Sequence, residues 1–215
     1  FYDSYRRSSL VDHFFAPATK LEDVLKCSYD EIGDFIKSRY FLETESTQDC
    51  LTIRLSRDGM INYNNQNKKI NLSKTIKILP KSPRIEIFYE IKNLEPSTIE
   101  LWFGPEFNFA LLAGNAPDRY YHFDQDVKDD RHLASIGVVD LVQSMGLKDE
   151  WMKIDVQLQF DIPATIWRFP VETISQSEGG FERVYQSSVV IPNWKIQLKQ
   201  SESWNVAIKQ TIIDI

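Results

Sequence analysis

Apolar and polar positions alternate along most of this chain. In Arg84 to Lys92, Ile85, Ile87, Tyr89 and Ile91 alternate with Arg84, Glu86, Phe88, Glu90 and Lys92. In Trp151 to Ile162, Met152, Ile154, Val156, Leu158, Phe160 and Ile162 alternate with Lys153, Asp155, Gln157, Gln159 and Asp161. A period of two puts one side of a strand into a core and the other toward solvent or a partner sheet. Similar strands are predicted at 50–56, 69–79, 98–103, 106–113, 164–174, 181–191, 194–200 and 203–213. The spacing turns helical near Thr19. There Thr19-Lys20-Leu21-Glu22 fits a capping box, with Leu21, Val24 and Leu25 behind it. A weaker helix is predicted over 129–136, and residues 1–18 read as an irregular lead-in.

The breaks between these runs carry turn chemistry. Asp58-Gly59 predicts a hairpin turn, since a primed turn needs positive φ. Pro80, Pro83 and Pro96 fall where a missing N–H does least harm. Gly179-Gly180 predicts a hairpin joining 164–174 to 181–191; if Ile174 faces Phe181, Glu172 lies opposite Arg183. The expected fold is all-β: a large antiparallel β-sandwich with one or two short helices. Residues 1–34 form a lead-in and short helix packed on a sandwich domain of residues 35–215.

Composition narrows the function. The 215 residues are 42% hydrophobic and 26% charged, ordinary values for a globular protein. A net charge of -6 argues against a nucleic-acid partner, because phosphate binding needs a basic surface. No apolar run reaches the roughly 20 residues that span a bilayer. Cys27 and Cys50 are too few for a disulfide framework and read as free thiols in a reducing cytosol. The opening FYDSYRRSSLVDHFF lacks the blocks of a signal peptide and reads as the start of a piece of something longer.

Two stretches carry candidate chemistry. In 106–113, Phe107, Phe109 and Leu111 point one way while Glu106, Asn108 and Ala110 point the other. A carboxylate and an amide on one face suit the floor of a polar cleft for sugar hydroxyls, with Trp102, Tyr120 or Tyr121 as the stacking ring. In WRFPVETISQSEGGFERVYQ, Trp167, Phe169 and Val171 read as core, and Arg168 and Glu172 share the opposite face. Arg168 is a candidate for binding sugar, and Glu172, Glu178 and Glu182 are candidates for a sugar or metal role, or for simple cross-strand ion pairs. Asp124, Asp126, Asp129 and Asp130 read as a solvated acidic loop, lacking the glycine and terminal glutamate of an EF-hand. His13, His122 and His132 have no metal-ligand spacing. No nucleophile elbow, dinucleotide fingerprint or phosphate loop occurs, so neither a catalytic residue nor a cofactor is expected.

Three phrases carry a family resemblance: FYDSYRRSSLVDHFF, FGPEFNFALLAGNAPDRYY and WRFPVETISQSEGGFERVYQ. They resemble the C-terminal region of glycoside hydrolase family 57 enzymes of the α-amylase and 4-α-glucanotransferase kind. The resemblance implies a galactose-mutarotase-like supersandwich following a β/α barrel, in which a glutamate nucleophile and an aspartate acid/base cleave α-1,4-glucan with retention. None of the barrel motifs stands in this sequence. The expectation is therefore a non-catalytic domain, cytoplasmic, partnered by an upstream barrel. It either binds maltooligosaccharide or serves only as a packing or dimer surface. A sugar epimerase is a third alternative, with His122 paired to Glu106 or Glu172.

Overall fold

A computed structural model describes residues 3–63, 66–177 and 180–215. Among the described residues, eleven strands and one short helix follow each other as β1 (Val11–Phe14), α1 (Leu21–Leu25), β2 (Phe41–Ser46), β3 (Leu51–Tyr63), β4 (Gln66–Ile78), β5 (Arg84–Asn93), β6 (Ile99–Phe109), β7 (Arg119–Phe123), β8 (Gly137–Asp149), β9 (Ile154–Ser177), β10 (Gly180–Leu198) and β11 (Ser203–Asp214). All pairings are antiparallel, in the order β1-β6-β10-β9-β11-β5-β4-β3-β2, with β8 joining the free side of β9 and β7 joining β8.

This sheet folds over on itself. Three strands separate β6 from β5 in the hydrogen-bonded order, yet Phe103 of β6 meets Tyr89 of β5 edge-on at 5.2 Å. Trp194 of β10 likewise rests on Trp204 of β11, 5.4 Å away. Between the two layers lies the main core, which includes Phe14, Ile70, Leu72, Ile91, Phe103, Leu158 and Val190. The strands that build it alternate as their sequence predicts: in β5, Ile87, Tyr89 and Ile91 are buried and Phe88 and Glu90 are exposed. The outer face of β6, β9 and β10 carries a second core. There Phe15, Leu21 and Val24 cover Trp167, Phe169, Val189 and Ile191.

Several breaks expected from the sequence are not breaks. Asp58-Gly59 makes no turn: β3 runs through it and pairs with β4 as far as Tyr63↔Gln66. Gly59 serves a close approach instead, because a Cβ there would overlap the Phe35 ring and lie 2.6 Å from Asp34 Oδ1. The runs 98–103 and 106–113 meet in one strand through Gly104-Pro105, with Pro105 beside Asp12 of β1, and this strand ends at Phe109, short of the expected 113. Pro163 and Pro192 likewise sit inside β9 and β10. The indole of Trp194 donates to the carbonyls of Ile162 and Pro163 at 3.2 and 3.1 Å, satisfying acceptors at the irregular stretch where β9 bulges against β8.

Other corrections are local. Residues 11–14, read as irregular, form β1, while 151–153 are a turn and 129–136 lack helix. The helix starts one residue later than expected, with Asp23 rather than Glu22 reaching back to the Lys20 N–H at 3.1 Å. Strands β2, β7 and β8 had no sufficient signal, being short or bulged.

Candidate functional site

The polar face of β6 is real, but it is not an open cleft. Glu106 is fully buried, because the segment of residues 5–14 runs over it. Strand β1 pairs with β6 so that His13 lies opposite Gly104, on the face that carries Glu106. His13 Nε2 is 3.2 Å from Glu106 Oε2, and the same oxygen accepts from the Tyr5 hydroxyl at 2.5 Å and from Arg7 Nη1 at 3.2 Å. The other oxygen accepts from Asn108 Nδ2 at 2.7 Å. Asn108 is itself tied to the segment, donating to the Ser8 carbonyl at 3.2 Å.

A second carboxylate holds the other side of the imidazole. Glu31 Oε2 lies 3.2 Å from His13 Nδ1, and Glu31 Oε1 accepts the backbone N–H groups of Phe14 and Gly33 at 2.7 and 3.2 Å. The Tyr29 hydroxyl also reaches Nδ1, at 2.8 Å. Burial disfavours an imidazolium, but the hydrogen bonds and charges of Glu106 and Glu31 outweigh it and push His13 up to about 9. Burial also opposes ionisation of Glu106, yet His13, Arg7 and Tyr5 hold it below its usual value. For Glu31 burial prevails, and its pKa rises. At neutral pH the cluster is a charged clasp that closes the N-terminal segment onto the sandwich. Tyr5, Arg7, His13, Tyr29 and Glu31 were missed. Their one signal was the alternation of LVDHFF, too short to stand out.

The remaining candidates scatter. Trp102 is half-buried in the second core, its Nε1 donating to Asn193 Oδ1 at 2.8 Å and Lys195 Nζ lying 4.5 Å from its ring. Tyr120 donates to Glu150 at 2.9 Å beside a shallow cavity of about 290 Å³ with Arg131 and His132. Tyr121 is core, with its hydroxyl on the Leu133 carbonyl. Arg168 is buried against the Tyr121 ring and donates to Ser135 Oγ and the Asp130 carbonyl, and its Nε has no partner. Burial lowers its pKa.

Glu172 lies opposite Tyr185, because the hairpin register is shifted by two from the expected one; it meets Arg183 diagonally at 3.6 Å. Glu182 stands on the exposed outer part of the same hairpin, and Glu178 falls outside the described residues. His122 binds Asp155 at 2.8 Å rather than Glu106 or Glu172, so the expected acid–base pairing is not assembled. Asp124 caps the N–H groups of Gln143 and Ser144. Among the described residues no group of three His, Cys, Asp or Glu is placed to hold a metal.

With this geometry in place, comparison with known structures defines the class: an antiparallel sandwich of galactose-mutarotase-like fold. A galactose mutarotase-like protein from Clostridium acetobutylicum superposes with a TM-score of 0.59 at 12% identity, over 98% of this chain and 78% of its own. The fold is shared; the identity is too low to carry a function. The 4-alpha-glucanotransferase from Thermococcus litoralis matches better, with a TM-score of 0.74 at 22% identity, over 98% of this chain but 28% of its own. The family model described as alpha-amylase/4-alpha-glucanotransferase, C-terminal, matches residues 1–208, and the chain belongs to that family. Alpha-amylase 1 of Dictyoglomus thermophilum is 31% identical over 209 residues, which are 97% of this chain and 29% of that protein. The chain thus spans under a third of that relative's length. Among the described residues no helix is long and apolar enough to cross a membrane.

Proposed function

We propose that this chain is the non-catalytic C-terminal domain of an α-glucan-active protein of glycoside hydrolase family 57 type, either α-amylase or 4-α-glucanotransferase. It supports an upstream catalytic barrel and contributes to holding maltooligosaccharide. The observation that carries this reading is the match of residues 1–208 to a C-terminal family whose members are three to four times longer. The Glu106 clasp supports the non-catalytic part, since its carboxylate is closed off by Tyr5, Arg7 and His13. Residues 1–34 act as a lead-in fastened to the sandwich of residues 35–215, as the packing of Phe15, Leu21 and Val24 suggests. The exposed Ile174 and Phe181 on the hairpin supply apolar surface for the barrel. Two unpaired cysteines accord with a cytosolic setting.

The test compares the chain alone with the chain joined behind the catalytic portion of the Dictyoglomus relative, assayed on starch and maltohexaose. No reducing-sugar release by the chain alone is expected, with activity and a higher melting temperature in the fusion than in the catalytic portion alone. Turnover by the chain alone overturns the non-catalytic reading. A fusion no more stable or active than the bare catalytic portion overturns the supporting role.

A further inference from the structure

We propose that the cavity between the N-terminal segment and the loop of residues 29–38 is a sugar subsite for one or two units of an α-glucan; the choice of an α-linked ligand rests on the function proposed above. The cavity measures about 370 Å³ and is lined by Tyr5, Tyr29, Glu31, Asp34, Lys37 and Ser38, among others. That size falls at the lower end of small-molecule sites, roughly 300–1,000 Å³. Its acceptors are fixed in place. Glu31 is held by the Phe14 and Gly33 amides and by His13, which uses three of the roughly four lone-pair positions of a carboxylate and leaves one. Asp34 is oriented by Arg57 at 2.5 Å and by the Met60 N–H at 3.0 Å, which leaves it further acceptor capacity.

The hydroxyls of the two tyrosines are already engaged, Tyr5 by Glu106 and Tyr29 by His13. Tyr29, which is half-buried, offers the ligand ring surface that suits the apolar face of a pyranose. Lys37 and Ser38 add donors. An anion would meet two carboxylates, an apolar ligand would leave them unsolvated, and a cation would meet Lys37. A ligand bearing many hydroxyls satisfies all of these groups at once. The Glu106 clasp then stands behind the site, holding Tyr5 and Glu31 in position.

Titrating the protein with maltotriose, followed by ¹H–¹⁵N NMR, tests this directly. Shifts are expected at Gly33, Lys37 and Ser38, and Lys37→Met, Ser38→Ala and Glu31→Gln should each weaken binding about 5- to 10-fold. Lys37 and Ser38 lie on a loop outside both cores, so their variants remain informative even where Glu31→Gln does not fold. Phe181→Ser should leave the affinity unchanged. If maltotriose binds with equal affinity to Lys37→Met and Ser38→Ala, this subsite is overturned while the glucan reading stands. If cellotriose binds through these residues and maltotriose does not, the sugar site stands and the α-glucan assignment falls. No shift with either sugar at tens of millimolar overturns the subsite; the supporting role of the domain is then decided by the fusion assay.

Discussion

Around Glu106, charged groups lie inside the protein and both carboxylate oxygens are bonded. At the outer end of β9 and β10 the situation is reversed: apolar side chains lie outside, with Ile174 71% and Phe181 80% exposed. Both regions belong to long strands with regular alternation. On β9, Ile166, Arg168 and Ile174 share a face, yet the first two are fully buried and the third is open. Period two assigns a residue to a face. What lies over that face is decided by distant chain: Tyr121, Asp130 and Ser135 lie against Arg168, while Ile174 stays open. The clasp region is complete in itself, whereas the hairpin presents surface fit for a further partner.

Removing the centre of the clasp should have the largest effect. Glu106→Ala leaves Arg7 and His13 buried without their shared counter-charge, and a loss of about 3–5 kcal/mol is expected in urea unfolding. A loss under about 1 kcal/mol would erase the contrast between the two regions.

The next effect depends on pH. His13 has a folded pKa of about 9 against an ordinary value of 6.5, so its contribution is complete below about 6.5 and is lost as pH rises through about 9. Glu106, held low, contributes above its ordinary value of 4.5 and loses this as pH falls. Glu31, held high, opposes folding above its ordinary value. Between pH 6.5 and 9 the contribution of His13 is being lost. Stability should fall by on the order of 2–3 kcal/mol over that window, and His13→Gln should flatten the profile. A wild-type profile as flat as that of the variant would remove His13 from the clasp.

Gly59 tests the loop that backs the clasp. Gly59→Ala pushes a methyl into Phe35 and Asp34, and a cost of about 1–3 kcal/mol is expected by thermal or urea unfolding. If the hairpin turn first read at this position were present, the substitution would instead act through positive φ; Gly59 has none.

The smallest effect belongs to the hairpin. Phe181→Ser should change stability by no more than about 0.5 kcal/mol, since the ring packs little in this chain. The same substitution in a fusion to a catalytic portion should lower the melting temperature if the ring docks there. A large loss in the chain alone would mean that the hairpin is already covered.

Much of the fold was legible because it rests on local pattern. Ile87, Tyr89 and Ile91 declare their face within one strand, and the opposition of Glu106 and Asn108 to Phe107 and Phe109 was correctly read. Prolines informed unevenly: Pro80, Pro83 and Pro96 fall in connections as expected, whereas Pro105, Pro163 and Pro192 sit inside β6, β9 and β10 and do not end them. The site was half legible. Glu106 stood out as a carboxylate on a strand, but its neighbours Tyr5, Arg7, His13 and Glu31 come from 75 to 101 positions away along the chain, and no short motif encodes such an encounter. The glycine at 59 was seen and assigned to the wrong cause, since close approach and positive φ favour the same residue.

The central claim is that the polar face of β6 is closed by a buried imidazolium shared between two carboxylates. Following the His13 ring signals by NMR through a pH titration tests it most directly. A midpoint near pH 9 that drops on Glu106→Gln is the predicted result; a midpoint at or below 6.5, unchanged by that substitution, would contradict it.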